Sequence, residues 1–152
     1  MKLIETIVCV MIVVVLMAAL GANTLGRKAY AIRAAVQSFS AFLDDARAVA
    51  QTSGSGATIA IASDGNGGFT AALYAYRPLE GAVTSSAPVR TLRGNVALTP
   101  VAIFISSSGT VSAAAWTPSD GSLALEPTCD TAISLTFADE AHTIPCEDAV
   151  LL

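Results

Sequence analysis

The most demanding side chain in this sequence is Glu5, a carboxylate at the start of a long apolar run. No charged residue follows it until Arg27, so 21 uncharged residues lie between the two. As a helix those residues would span about 31 Å, close to the hydrocarbon thickness of a bilayer. Because an unpaired carboxylate in lipid costs a few kcal/mol, Glu5 is expected to find a positively charged partner or to take up a proton.

Three cysteines divide into one in the apolar run and two near the C-terminus. Cys9 is interpreted as a small buried hydrophobic side chain. Cys129 and Cys146 have 16 residues between them. In an exported domain this pair is expected to form a disulfide that stabilises the fold by about 3 kcal/mol in the chain-entropy model. No zinc site is predicted, because His142 is the single histidine and the spacing matches no finger pattern.

No set of side chains predicts catalysis. His142 lies near Asp139 and Glu140 in sequence, but no strand-to-helix nucleophile elbow accompanies it, so it is interpreted as a turn histidine. The segment 64–68, Asp-Gly-Asn-Gly-Gly, lacks the further carboxylates of a calcium loop and is interpreted as a hairpin turn. With no phosphate-binding glycine motif either, the sequence predicts neither an enzyme nor a cofactor or metal site.

The charges are few and unevenly distributed. Only 13% of residues are charged, which is low for a free monomer and typical of a subunit covered by its neighbours. Residues 27–93 carry seven basic and four acidic residues, net +3, whereas residues 94–152 carry seven acids and no Lys or Arg, net −7. Opposed patches of this kind could steer head-to-tail contacts between subunits, or they could be a plain solvated surface.

Nucleic-acid binding is not favoured by this distribution. Arg77, Arg90 and Arg93 could cluster, but the C-terminal part of the chain has no basic residue to add to them. Since DNA affinity depends on clustered Lys and Arg, an acidic surface would repel the phosphate backbone.

The elements that must position these residues begin with one helix of about 50 residues. Residues 1–26 form its hydrophobic stem, and residues 27–52 form an amphipathic half that ends in a Gly/Ser turn. Gly21 and Gly26 mark a stretch of poor helix propensity within it. The apolar face of the second half recurs at spacings of four and three: Ile32, Val36, Phe39, Leu43, Ala46 and Ala50. A polar face follows one residue on: Arg33, Gln37, Ser40, Asp44, Arg47 and Gln51.

Residues 53–152 change to a period of two and predict one β-rich domain, so the fold class is α+β, with the helix packed on an antiparallel sheet. After the stem, about 125 residues remain, enough for one domain with its own core. Segment 78–88 is expected to be a loop. Strands are predicted at 58–63, 69–77, 89–93, 101–106, 110–117, 132–137 and 142–146.

The N-terminus carries a family resemblance. Leu3-Ile4-Glu5 followed by a long apolar helix resembles the start of mature type IV pilins and type II secretion pseudopilins. Two simpler interpretations compete with it: an ordinary single-pass anchor, and a cleaved signal peptide. A signal peptide fits poorly, because Glu5 stands where such peptides avoid acids and Ala19-Leu20-Gly21-Ala22 is a poor cleavage site.

The resemblance implies a structural role in a homo-oligomeric helical filament. A prepilin peptidase would expose the amine of Met1, and Glu5 would meet that amine on a neighbouring subunit. The subunit would sit in the inner membrane and then be extracted by inner-membrane assembly machinery into a cell-surface filament. The stem helix can melt locally in related filaments, which would place such a region at Gly21 to Gly26. The Cys129–Cys146 loop resembles the C-terminal disulfide loop of many pilins.

Two alternatives remain within the resemblance. Asp45-Ala-Arg-Ala-Val-Ala50 with the following hairpin, and Val101-Ala-Ile-Phe-Ile with Gly109, resemble the H-type minor pseudopilins and some minor pilins of competence systems. These matches imply a periplasmic tip or priming subunit of a type II secretion pseudopilus, working with other pseudopilins. A DNA-binding minor pilin is the less favoured alternative.

Overall fold

One helix dominates the protein. The structure is a computed structural model that describes residues 2–77, 82–83, 87–117, 122–125 and 132–152. The helix, α1, runs without interruption over Lys2–Ser53. It ends where Gly54 takes a φ of +68°, a left-handed conformation that suits glycine and closes helices in many proteins. The predicted continuous helix and its end at the Gly/Ser turn are therefore observed.

In the described residues nine strands follow, and all their pairings are antiparallel. Their bounds are β1 Ala57–Ser63, β2 Phe69–Arg77, β3 Ala82–Val83, β4 Arg90–Gly94, β5 Ala102–Ile105, β6 Val111–Thr117, β7 Ser122–Leu125, β8 Ala132–Phe137 and β9 Glu140–Pro145. With α1 packed on them, the protein has the predicted α+β fold.

The large sheet is built around β1. This strand pairs with β2 on one side, Ile59 opposite Leu73, and with β5 on the other, Ile59 opposite Ile103. From β5 the pairings continue to β6, β7, β3 and back to β2, so six strands are connected in a ring. β4 adds to β2 outside this ring. Local hairpins alone do not produce this order, because β1–β5 and β3–β7 join distant segments.

A second, two-stranded sheet consists of β8 and β9. It is tied to the rest by an isolated bridge between Leu98 and Phe137, and by the amide of Val111, which donates to the carbonyl of Cys146 over 2.7 Å. Leu152 exchanges two backbone hydrogen bonds of 2.9 and 3.0 Å with Thr143. The C-terminal residues are thus held along β9.

The second half of α1 forms the core with these sheets. Phe39 lies fully buried among three other rings, with its centroid 5.6 Å from that of Phe137 and 6.2 Å from that of Phe69. Five of the six predicted apolar positions are buried, and Val36 is half-buried. The four-and-three pattern missed Ala35 and Phe42, which are also buried and widen the apolar face. The alternation predicted for β2 is confirmed by its buried residues: Phe69, Ala71 and Leu73.

Two short strands were not predicted. β3 falls in the segment 78–88 that was expected to be a loop, and β7 lies between the strands predicted at 110–117 and 132–137. β3 pairs with its sequence neighbour β2, and β7 pairs with its sequence neighbour β6. Ala82 opposite Ser122 joins these two distant segments. The remaining predicted strands agree with the observed ones to within one or two residues.

Candidate functional site

The first half of α1 is the most unusual surface of the molecule. Its twelve large hydrophobic side chains between Ile4 and Leu20 are each 49–69% exposed. An 18-residue window within the helix has a mean hydropathy of 2.5, and none of that window is buried. By length and composition α1 is therefore able to cross a membrane. Nothing in the described part of the domain covers this segment.

The residues expected to act in assembly lie along this half. Glu5 is part of α1 near its beginning. Its side chain is not among those described, and Met1 lies outside the described residues, so their pairing stays a prediction. The helix continues through Gly21 and Gly26. The hydroxyl of Thr24 donates a 2.9 Å hydrogen bond to the carbonyl oxygen of Gly21. Local melting in a filament also stays a prediction.

Ion pairs join the basic helix to the acidic C-terminal part of the chain. Lys28 lies 3.1 Å from Asp139, at the turn between β8 and β9. Arg47 lies 2.7 Å from Asp148, beyond β9. Part of the charge asymmetry seen in the sequence is therefore satisfied within one chain, a pairing that sequence periodicity cannot detect across separations of 111 and 101 residues.

A further ion pair holds the other flank of the helix. Asp45 of α1 pairs with Arg90 of β4. Among the described basic side chains, three make no ion pair: Arg27, Arg33 and Arg93. The proposed cluster of Arg77, Arg90 and Arg93 is thus weakened, because Arg90 is already neutralised by a carboxylate.

The cysteines follow the predicted division in part. Cys9 is free and exposed on the apolar half of α1, so it is not buried as expected within this single chain. Cys146 is disulfide-bonded. The expected partner, Cys129, lies outside the described residues, and that pairing remains a prediction.

His142 contacts the C-terminal residue, a neighbouring carboxylate and an aromatic ring. One ring nitrogen, Nδ1, lies 3.1 Å from the carbonyl oxygen of Leu152, and the other, Nε2, lies 3.9 Å from the carboxylate of Glu140. The ring also meets Phe137 edge to face at a centroid distance of 5.7 Å. Asp139 points to Lys28 instead. The imidazole therefore joins β9 to the C-terminal residues.

The carboxylate of Asp64 accepts hydrogen bonds from backbone amides of its own turn. Its Oδ1 accepts hydrogen bonds of 2.8 Å from the amides of Asn66 and Gly68. These bonds stabilise the charged form and lower the pKa of Asp64 below its ordinary value. The hairpin-turn interpretation of this segment is therefore supported by its geometry.

Among the cavities beside the described part of the helix, two have charged and aromatic or imidazole side chains in their walls. The first, about 360 Å³, lies between α1 and the end of β4, with Tyr30, Phe69 and Arg93 in its walls. The second, about 320 Å³, lies between α1 and β9, with Arg33, Glu140 and His142 in its walls. Within the described ranges, no group of three or more His, Cys, Asp or Glu gathers to hold a metal ion. Ser40 and His142 both line the second cavity, but the His142 ring nitrogens contact the Leu152 carbonyl and Glu140.

Comparisons with protein-family models, with curated proteins and with solved structures gave no match to this chain.

Proposed function

We propose that this chain is a structural subunit of a type IV pilus-like filament, held in the membrane by the first half of α1 before assembly. The observation that carries the proposal is the division of one continuous helix. Its second half is packed into the domain, whereas its first half presents apolar side chains on all sides to the exterior. Such a segment needs an apolar environment that this chain does not supply.

Two environments would satisfy the stem in turn. A bilayer covers it first, because its uncharged length matches the hydrocarbon core. Copies of the same helix would cover it later, in the centre of a filament, with the domains outside. Extraction from lipid needs no net loss of burial if each stem passes directly from one apolar environment to the other.

Glu5 would determine how neighbouring stems align during assembly. In lipid its carboxylate would be held in an apolar medium, whereas in a filament it would meet the amine of a neighbouring chain at Met1. Pairing the two charges offsets much of the cost of holding each alone in an apolar medium, provided that both are well hydrogen-bonded. The register between neighbouring stems would then be set by one ion pair.

The test is cryo-electron microscopy of filaments sheared from cells that produce the chain together with pilus-assembly machinery. A map in which α1 and the C-terminal hairpin recur in every subunit would support the proposal. If filaments consist of another pilin and this chain is found only at an end, the minor-pseudopilin alternative is correct. If the chain stays in the membrane fraction and enters no filament, α1 is a single-pass anchor and the proposal fails.

A further inference from the structure

The part of the domain nearest the stem carries the cations that ion pairing leaves unsatisfied. Arg27 and Arg33 lie on α1 directly beyond the apolar run, and Arg93 lies at the end of β4. Tyr30, 77% exposed, shares the wall of the 360 Å³ cavity with Arg93. We call Arg27, Tyr30, Arg33 and Arg93 the collar. Because all four residues lie next to the stem, a single partner at that level would contact them together.

The height of the collar matches the headgroup layer of a membrane. At 1.5 Å per residue, Arg27, Tyr30 and Arg33 lie about 2, 6 and 10 Å beyond Gly26. A headgroup layer is about 5–8 Å thick on each side of the hydrocarbon core. Arginine side chains reach several ångströms toward such a layer while their stems stay on apolar surface. All three therefore lie within reach of lipid phosphates.

The helical part of the collar lies on one side of α1. At about 100° per residue, Arg27, Tyr30 and Arg33 are each turned by about 60° from the next and together span about 120°. Tyrosine, with an apolar ring and a polar hydroxyl, is enriched at membrane interfaces. Lys28 points toward the domain and is neutralised by Asp139. Among the described side chains, Arg27, Arg33 and Arg93 make no such ion pair to the rest of the domain.

Nearby acids reduce the positive charge of the collar without cancelling it. Glu140 shares a cavity wall with Arg33, and the charge of Arg93 acts on Asp64. Three arginines against these two carboxylates leave an excess of one positive charge, and Glu140 also faces His142. Asp64 is further committed to the amides of its own turn.

We propose that the collar binds the headgroups of anionic phospholipids in the leaflet from which α1 emerges. This inference rests on the membrane stage of the proposed function. The partner assigned to the end of the domain nearest the stem is a phosphate-bearing lipid of net negative charge. Arg27, Arg33 and Arg93 supply the charge, and Tyr30 supplies the interfacial ring.

The experiment uses the full chain reconstituted in phosphatidylcholine vesicles that contain a trace of spin-labelled lipid. Electron paramagnetic resonance measures how much of the label is motionally restricted by the protein. Spin-labelled phosphatidylglycerol should be restricted at least about twofold more than spin-labelled phosphatidylcholine in about 0.01 M salt, and the preference should shrink in about 1 M salt.

Charge-neutral variants locate the preference. Arg27→Gln, Arg33→Gln and Arg93→Gln should each reduce it, and the triple variant should abolish it. Arg90→Gln removes the same charge at the level of Asp45, about 28 Å beyond Gly26, and should leave the preference unchanged.

The possible results separate the lipid inference from the membrane anchor. Restricted lipid without any anionic preference, or a preference that the triple variant retains, would overturn the inference and leave the anchor standing. Absence of restricted lipid of either kind would show that α1 does not insert, and both would fail. If the native chain shows no preference but the triple variant forms no filaments, the collar faces another copy of the chain instead of lipid.

Discussion

Arg47 of α1 donates a 2.7 Å hydrogen bond to Asp148, which lies 101 residues further along the chain. Nineteen residues earlier on the same helix, Lys28 makes a 3.1 Å ion pair with Asp139. The two pairs are about 28 Å apart along the helix axis, and their acids lie before and after β9 in sequence. The C-terminal part of the chain is thereby fixed to α1 at two points, by charges that the sequence distributes between its two parts.

The Arg47–Asp148 pair should contribute modestly to stability. Arg47→Ala and Asp148→Ala are each expected to lower the free energy of unfolding, with a coupling energy of about 0.5–1 kcal/mol, because the pair is partly exposed and screened. The measurement is a double-mutant cycle by denaturant unfolding of the full chain in detergent, followed by near-UV circular dichroism. Lys28 and Asp139, which are more exposed, should give a smaller coupling. A coupling energy of zero for Arg47–Asp148 would show that the contact does not contribute to stability.

Gly94 should not tolerate a side chain. A Cβ built on it would overlap the ring of Phe69, which is fully buried and cannot move aside freely. Gly94→Ala is therefore expected to destabilise the domain by about 1–3 kcal/mol, as overpacking of a core does. Thr91→Ala on the same strand is exposed and should change stability by less than about 0.5 kcal/mol. Equal melting temperatures for the two variants would contradict this packing.

Asp64 should make stability depend on acidity. Its pKa in the folded state lies below the ordinary value of 3.8, so its contribution is fully present above that value and is lost as the pH falls through the lowered pKa. Asp64→Asn keeps an oxygen for the amides of Asn66 and Gly68 but cannot titrate. The stability difference between the native chain and this variant should narrow on acidification. A difference independent of pH from neutrality to strong acid would rule out the linkage.

The disulfide of Cys146 is expected to join it to Cys129. Cys129→Ser should lower the free energy of unfolding by about 2–4 kcal/mol, because the unfolded chain gains freedom when the loop opens. Thermal unfolding with and without a reducing agent measures the effect, and reduction should add nothing in the variant. Cys9→Ser is the matched control, since Cys9 is free. A Cys129→Ser variant as stable as the native chain would mean that Cys129 is not the partner.

Glu5 should matter for assembly and not for folding. Glu5→Ala is expected to leave the domain folded and the chain in the membrane while reducing filament yield by at least about tenfold, a loss that corresponds to about 1.4 kcal/mol. Immunoblotting of sheared filaments against the membrane fraction measures the yield. Val8→Ala, a truncation in the uncharged part of the stem, serves as the control. Normal filaments from Glu5→Ala would remove the role assigned to this carboxylate.

The local features of this fold were accessible from sequence because each has a short-range signal. The end of α1 follows from the glycines after Ser53, and the turn at Asp64 follows from its Gly-rich composition. Burial in β2 follows from its alternation. The stem was recognisable because 21 consecutive residues carry no charge.

The missed features depend on contacts between distant segments. β3 and β7 pair with each other and with the longer strands beside them, and at two and four residues they are too short to show a clear alternation. The ion pairs of Lys28 and Arg47 join residues more than 100 positions apart. Phe42 was missed because a strict four-and-three count selects a narrower face than the sheet covers. Periodicity describes a segment, whereas these features belong to the packed molecule.

Because α1 is continuous from stem to domain, it fixes the orientation of the domain about the helix axis. With no hinge between Gly26 and Arg27, the stem and the packed half of the helix share one rotational phase. Each residue inserted at that junction would turn the domain by about 100° about the helix axis and raise it by about 1.5 Å, while seven inserted residues would return it to within about 20° of its original direction. The direction that the domain faces is therefore encoded in the number of residues that precede it.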